Sequence, residues 1–340
     1  MVRTFLSNPL HRRVVLAGAG AALAVPLFVR RSLAGAKPFR ISTPGSPDEW
    51  QSKALEVFKK DLDAAAPGQF DVQIHYNGTL FAQGTEIEAM QRGNLEVAMV
   101  SPQDIASLIP EYSIFTTGYL MRDPKHLDAV YDGVIGQEYA ARVEKDVQIH
   151  LVRSQYLGTR HLILRKPREV KTPADMAGVK LRMPGSETWQ FLGEALGAKP
   201  TPMAFEEVYL AMQTGTVDGL ENPLPDAEAA KFYEVSKQVV LTGHMVSNTF
   251  FAVAGAYWNA LSADQRSAIE AAEAKAKAFN DEGVLKTETD AKSFFDGKGV
   301  KVTTPDVEAF RTHVLKMFSE SKFAANWPKG LLERINQAGS

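Results

Sequence analysis

Arg182 sits in Val179-Lys-Leu-Arg-Met-Pro-Gly-Ser186, where an apolar stretch that predicts a strand gives way to a predicted helix starting at Ser186. The first turn of a helix presents unpaired N–H groups and a positive dipole end. A guanidinium beside it is planar, permanently charged and able to bind two oxygens at once, which suits a carboxylate. The alternative is a structural arginine paired with a neighbouring acid such as Glu187. Arg160, in Tyr156-Leu-Gly-Thr-Arg-His161, precedes a predicted strand His161–Leu164 and is the second candidate. With Asn222 nearby, two strand-end arginines would form a polar anion site. Phe205, in Met203-Ala-Phe-Glu206, opens a predicted helix Phe205–Gln213 and would line that site or pack in the core.

Catalytic spacing is absent elsewhere. There is no HExxH, GxSxG, P-loop or EF-hand pattern, and Gly18 and Gly20 lie within an apolar N-terminal run. The seven histidines lack ligand spacing, and the chain has no cysteine. Disulfides, thiolate metal sites, iron–sulfur clusters and cysteine nucleophiles are thereby excluded. The carboxylates form no recognisable pair, and most read as belonging to solvated helix faces. No catalytic residue, metal ligand or cofactor is assigned. The formal charge of −2 conceals an asymmetry: residues 1–36 hold five arginines and no acid, leaving 33 basic against 40 acidic residues beyond them. A mildly acidic body argues against a nucleic-acid partner, which requires a basic face.

Residues 1–36 read as an export signal. The uncharged run Val14–Val29 follows Arg12-Arg13 and precedes Arg30-Arg31 and a small-residue end, Ala34-Gly-Ala36. As a helix this run would rise ~24 Å, short of a ~30 Å hydrocarbon core. The alternative is a retained membrane anchor. Cleavage before Lys37 would release a periplasmic protein, and the paired arginines suggest the twin-arginine route.

From Pro38 onward predicted strands and helices alternate, the pattern of α/β layers. Strands are expected at 39–43, 70–76, 95–100, 147–153 and 179–183. Helices are expected at 48–65, 86–92, 123–145, 186–196 and 205–213, with a short one opening at Thr172-Pro173. In the first of these helices Trp50, Ala54, Phe58 and Leu62 recur on one face. Ala89-Met-Gln-Arg-Gly-Asn-Leu-Glu96 returns as Ala211-Met-Gln-Thr-Gly-Thr-Val-Asp218, and the strands that follow end at Ser101-Pro102 and Asn222-Pro223. Such an echo suggests two similar α/β lobes. Ligands in open α/β sheets gather beyond the carboxyl ends of the strands, so Ser101 and Asn222 would face one cleft. Ser262 with Gln265 forms a capping-box pattern ahead of a helix running to Phe295, roughly 51 Å if unbroken. That is long enough to lie across both lobes, with Gly283 the expected bend.

Gly158-Thr-Arg160, Thr172–Pro184 and above all Leu196–Leu224 resemble the central region of the solute-binding proteins of tripartite ATP-independent periplasmic (TRAP) transporters. Lys231-Phe-Tyr-Glu-Val235 extends the likeness, which covers nearly all of residues 38–335. The resemblance implies a type II-like periplasmic-binding fold with two α/β lobes, 37–157 plus 248–283 and 158–247 plus 284–340. It further implies a small-molecule carboxylate trapped between them and handed to the membrane subunits of a TRAP symporter. It places the family's signature arginine on Arg182, its second arginine on Arg160, its cleft aromatic on Phe205 and its asparagine on Asn222. The sialic-acid branch has glutamate where Ser101 stands and arginine where Asp104 stands, which argues against sialic acid. Trp50, Tyr76, Gln83, Ser101 and Gln103 are expected to form the discriminating wall. Two rivals remain at this point: an exported enzyme acting on acidic sugars, which needs paired acid and base groups, and a sensor module.

Overall fold

The computed structural model describes residues 35–339, so the export signal, apart from its last two positions, lies outside the described residues. Nine strands form one mixed sheet: β1 (Lys37–Ser42), β2 (Phe70–His75), β3 (Val97–Val100), β4 (Ile149–Leu164), β5 (Lys180–Met183), β6 (Lys199–Pro202), β7 (Gly219–Pro223), β8 (Gln238–Ala254) and β9 (Lys301–Thr303). The order is β2-β1-β3-β8-β4-β7-β5-β6, with β9 beside β8.

The internal echo seen in the sequence is an echo in topology. β1 runs parallel to β2 and β3, and β3 runs antiparallel to β8. In the same way β5 runs parallel to β6 and β7, and β7 runs antiparallel to β4. The helical part of each repeat segment ends at a glycine with left-handed backbone, Gly93 (φ 72°) and Gly215 (φ 80°), a conformation that costs glycine little. Each turn delivers the chain into the inner strand of its half-sheet.

The helices are α1 (Trp50–Ala65), α2 (Glu86–Gln91), α3 (Pro102–Ala106), α4 (Pro124–Tyr131), α5 (Val134–Val147), α6 (Glu187–Ala195), α7 (Val208–Thr214), α8 (Leu224–Ala229), α9 (Gly255–Asn259), α10 (Ala263–Gly297), α11 (Val307–Ser319) and α12 (Leu331–Gln337). They pack against both half-sheets, and the inner strands β3 and β8 are accordingly the most apolar. Phe39, Ile41, Phe58, Val97 and Phe251 share one fully buried cluster with residues of α1 and α10. Leu181, Met183, Leu192, Phe310 and Val314 fill a corresponding one in the other half. Among the described residues no helix is long and apolar enough to cross a membrane.

Three elements tie the halves together. β4 and β8, 16 and 17 residues long, pair antiparallel from Ile149↔Ala254 to Leu164↔Gln238. The sequence divided β4 into two strands around Ser154–Arg160. Those residues stay in the sheet, and their polarity reflects what they bond: Tyr156 and Thr159 meet Glu288 of α10, and Arg160 meets Glu221 of β7. The third element, α10, has 35 residues and the expected capping box of Ser262 with Gln265.

Three further expectations are corrected. The helix read over 123–145 is two helices, α4 and α5, parted at Asp132-Gly133. The glycines there permit a close crossing, since a Cβ on Gly136 would stand 1.9 Å from the carbonyl oxygen of Tyr131. The helix also continues through Gly283, the expected bend. That glycine makes room for Trp50, whose ring would lie 2.2 Å from an added Cβ. The helix read over 205–213 opens as a single 3-10 turn, Phe205–Glu207, before α7.

Candidate functional site

The carboxyl ends of β1 and β3 face those of β5 and β7 across a cavity. Pro44, Gly45, Glu49, Gln51, Gln83, Glu86, Met99, Ser101, Asp104 and Thr249 line one wall, and Arg160, Arg182, Pro184, Trp189, Phe205, Asn222 and Asp226 the other. This is the crevice that parallel α/β sheets offer to ligands.

Arg182, at the end of β5, is 1% exposed. Its Nε donates to the carbonyl oxygen of Met203 (2.9 Å) and its Nη2 to Oε1 of Gln83 (2.6 Å). The guanidinium carbon stands 5.8 Å from the centre of the Phe205 ring, within cation–π range. Among the described residues Arg182 forms no ion pair; Glu187, its expected alternative partner, pairs with Lys322. Burial pulls the guanidinium down to about 9, opposed by Glu221 and assisted by the like charge of Arg160. Leaving such a charge buried without a counter-ion is costly, and an incoming anion relieves the cost.

Arg160 is arranged differently. Its Nη2 bonds Oε1 of the fully buried Glu221 (2.8 Å) and Oδ1 of Asn222 (3.1 Å), and its guanidinium lies 4.7 Å from the Trp189 ring centre. Glu221 also meets Nε2 of His244 (3.1 Å), whose Nδ1 is bonded to Thr242. Burial alone would raise the Glu221 carboxyl, but Arg160 and His244 prevail and hold it at about 2. The charge of Arg160 is thus already matched. Asn222 is 4% exposed and spends its side-chain carbonyl oxygen on Arg160, while its Nδ2 has no hydrogen-bond partner among the described residues. That donor is free for a ligand oxygen.

Four carboxylates also line the cavity, Glu49, Glu86 and Asp104 on the facing wall and Asp226 on the arginine wall, away from the solvated helix faces on which most were expected. Glu86, the first residue of α2, accepts from the backbone N–H of Gly84 (2.6 Å). Its carboxyl is raised to about 8 by burial, then by Asp104 and Glu206. Asp104 completes the capping box that Ser101 opens at the start of α3, accepting from the Ser101 hydroxyl at 2.7 Å, and burial raises it as well. Glu49 folds back onto the N–H of Ser46 (3.0 Å) and is raised by burial to about 7. A side chain on Gly45 would collide with this carboxylate, its Cβ falling 2.3 Å from Oε2. Asp226 on α8 is raised well above the usual carboxylate range, first by burial and then by Glu49. The sequence offered one signal for this wall: the strand-ending Ser101 followed three residues later by Asp104.

Six of the nine residues expected at the site line the cavity: Arg182, Arg160, Asn222, Phe205, Ser101 and Gln83. The other three do not. Trp50 packs on Gly283 and donates from Nε1 to Thr287 of α10 (2.8 Å). Gln51, one position on, reaches the cavity and bonds Thr249. Tyr76 bonds Glu56 on α1. Gln103 is buried against Met245 (Nε2 to Sδ, 3.2 Å), and its carbonyl oxygen accepts from Thr188. Among the described residues no group of three or more His, Asp or Glu side chains is arranged to hold a metal ion.

Residues 41–323 match the model of a protein family described as bacterial extracellular solute-binding protein, family 7. A solute-binding protein of Verminephrobacter eiseniae is 35% identical over 301 residues, 88% of each chain. The sialic acid-binding periplasmic protein SiaP of Vibrio cholerae is 27% identical over 86% of this chain and 91% of its own. A solved TRAP periplasmic solute-binding protein from Roseobacter denitrificans, with bound 3-deoxy-D-manno-oct-2-ulosonic acid, superposes with a TM-score of 0.86. It is 44% identical and covers 89% of this chain and all of its own.

Proposed function

The chain belongs to family 7 of the bacterial extracellular solute-binding proteins, and we propose that its cavity captures a small organic acid for delivery to the membrane subunits of a TRAP symporter. One observation carries this reading: Arg182 is a fully buried guanidinium at a strand end, lining a cleft and, among the described residues, paired with no carboxylate. The ulosonic acid held by the 44% identical neighbour supports a carboxylate as the missing partner. Water exclusion strengthens the contact, since the same ion pair is weak in bulk solvent.

Capture requires the lobes to close, and the sheet supports a place for the hinge. The pairing of β4 with β8 slips between Tyr156↔Asn248 and Gly158↔Ser247, and Gly158 has φ 129°. We place the lobe boundaries at 157/158 and 247/248, with α10 passing between lobes near Gly283. The basic, then apolar, then small-residue pattern of residues 1–36 supports export, with the paired arginines favouring the twin-arginine route. The carboxylates gathered in the cleft serve recognition, and the protein is read as a binder without turnover.

A thermal-shift screen over ulosonates, hexonates, C4-dicarboxylates and keto acids tests the reading, because a ligand that binds only the folded state raises its melting temperature. At least one carboxylate should stabilise the protein, and the Arg182→Ala variant should lose that response. Stabilisation by neutral sugars alone would overturn it.

A further inference from the structure

The two walls of the cavity differ in chemistry. Arg182 and the unpaired Nδ2 of Asn222 offer donors on one side. Opposite and beside them stand Glu86, Asp104 and Asp226, of which Glu86 and Asp226 are 4% and 5% exposed. Local bonds occupy one oxygen of Glu86, through Gly84, and one of Asp104, through Ser101. Among the described residues, Oε1 of Glu86, Oδ1 of Asp104 and both oxygens of Asp226 accept no hydrogen bond from another residue, yet all three side chains border the cavity. Arg160 offsets them only in part, because Glu221 already matches its charge.

We propose that Glu86, Asp104 and Asp226 determine which acids the protein retains, admitting acids with one carboxylate and several hydroxyls and rejecting those with a second carboxylate. The inference rests on the reading of Arg182 as the carboxylate receptor. A hydroxyl both donates and accepts, so it satisfies a carboxyl in either protonation state. A carboxylate only accepts, so against these carboxyls it meets acceptor oxygens and, wherever they are ionised, like charge. Like-charge juxtaposition is an effective means of excluding a wrong partner.

Calorimetry at pH 8 with four probes tests this: 3-deoxy-D-manno-oct-2-ulosonate, galactonate, galactarate and hexanoate. Galactarate keeps the carbons and inner hydroxyls of galactonate but adds a carboxylate, and hexanoate removes every hydroxyl. The better of the two hydroxy monoacids should bind at least about 100-fold more tightly than galactarate or hexanoate. Glu86→Gln and Asp104→Asn, which keep shape and remove charge, should each narrow the galactarate gap about tenfold. Galactarate or hexanoate binding within about threefold of the better hydroxy acid overturns the proposal, whether or not the variants fold. An unchanged gap in folded variants overturns it equally. If Arg182→Ala still abolishes binding in those cases, the receptor reading survives alone; binding of none of the four probes removes both.

Discussion

Nη2 of Arg182 donates to Oε1 of Gln83 at 2.6 Å, joining residues 99 positions apart on opposite walls of the cavity. A hydrogen bond from a charged donor contributes about 1.5–3 kcal/mol, so this one is well placed to hold the walls together around a guest. Gln83→Ala should therefore speed release of a bound acid by about tenfold or more, with a smaller effect on capture. Stopped-flow dissociation kinetics measure this directly. An unchanged release rate would remove Gln83 from any role in closure.

Trp50 and Gly283 form a second contact between distant parts of the chain. Gly283→Ala would drive a methyl group into the indole, where the available distance is 2.2 Å. Overpacking of this kind costs about 1–3 kcal/mol, and each kcal/mol lowers the melting temperature by about 1.5–2 °C in a protein of this size. Thermal unfolding should show that loss. A melting temperature equal to wild type would mean that α10 tolerates displacement from α1.

Much of this architecture is legible in the sequence, for identifiable reasons. The apolar strands, the capping box at Ser262 and the glycines at 93 and 215 are local signals, and each marks its element where the fold places it. Trp50 shows the limit of such signals. Its spacing with Ala54, Phe58 and Leu62 suggested one face, yet only the last three enter the core cluster, and Trp50 turns to α10. A rotation of about 100° per residue puts Gln51, not Trp50, at the cavity. The acidic wall was hidden for another reason. Glu49, Glu86, Asp104 and Asp226 come from four separate turns, and only the folded sheet brings them to one cleft.

Glu86 makes stability depend on pH. Its carboxyl is raised from an ordinary 4.5 to about 8 by burial and by the acids Asp104 and Glu206. The folded protein therefore holds a proton that the unfolded chain releases, and stability falls as pH rises from about 4.5 to about 8. Glu86→Gln should melt at a higher temperature than wild type at pH 8.5, with the difference shrinking towards zero by pH 5. A difference that is constant across this range would assign the effect to packing rather than titration.

A binder returns its guest intact. Prolonged incubation of substoichiometric protein with 3-deoxy-D-manno-oct-2-ulosonate, followed by proton NMR, should show no new species. Product accumulation that disappears in Asp104→Asn would instead revive an enzyme acting on acidic sugars, with the cleft carboxylates as its acid and base.

The most direct measurement is titration calorimetry of the best-binding acid into wild type, Arg182→Ala and Arg182→Lys, with circular dichroism confirming the fold of each. Arg182→Ala should lose about 2–5 kcal/mol of affinity, as when one member of a buried charged pair is truncated. Arg182→Lys should also bind more weakly, because a point charge does not reproduce the planar fork. Near wild-type affinity in a folded Arg182→Ala protein would contradict the assignment of this side chain as the carboxylate receptor.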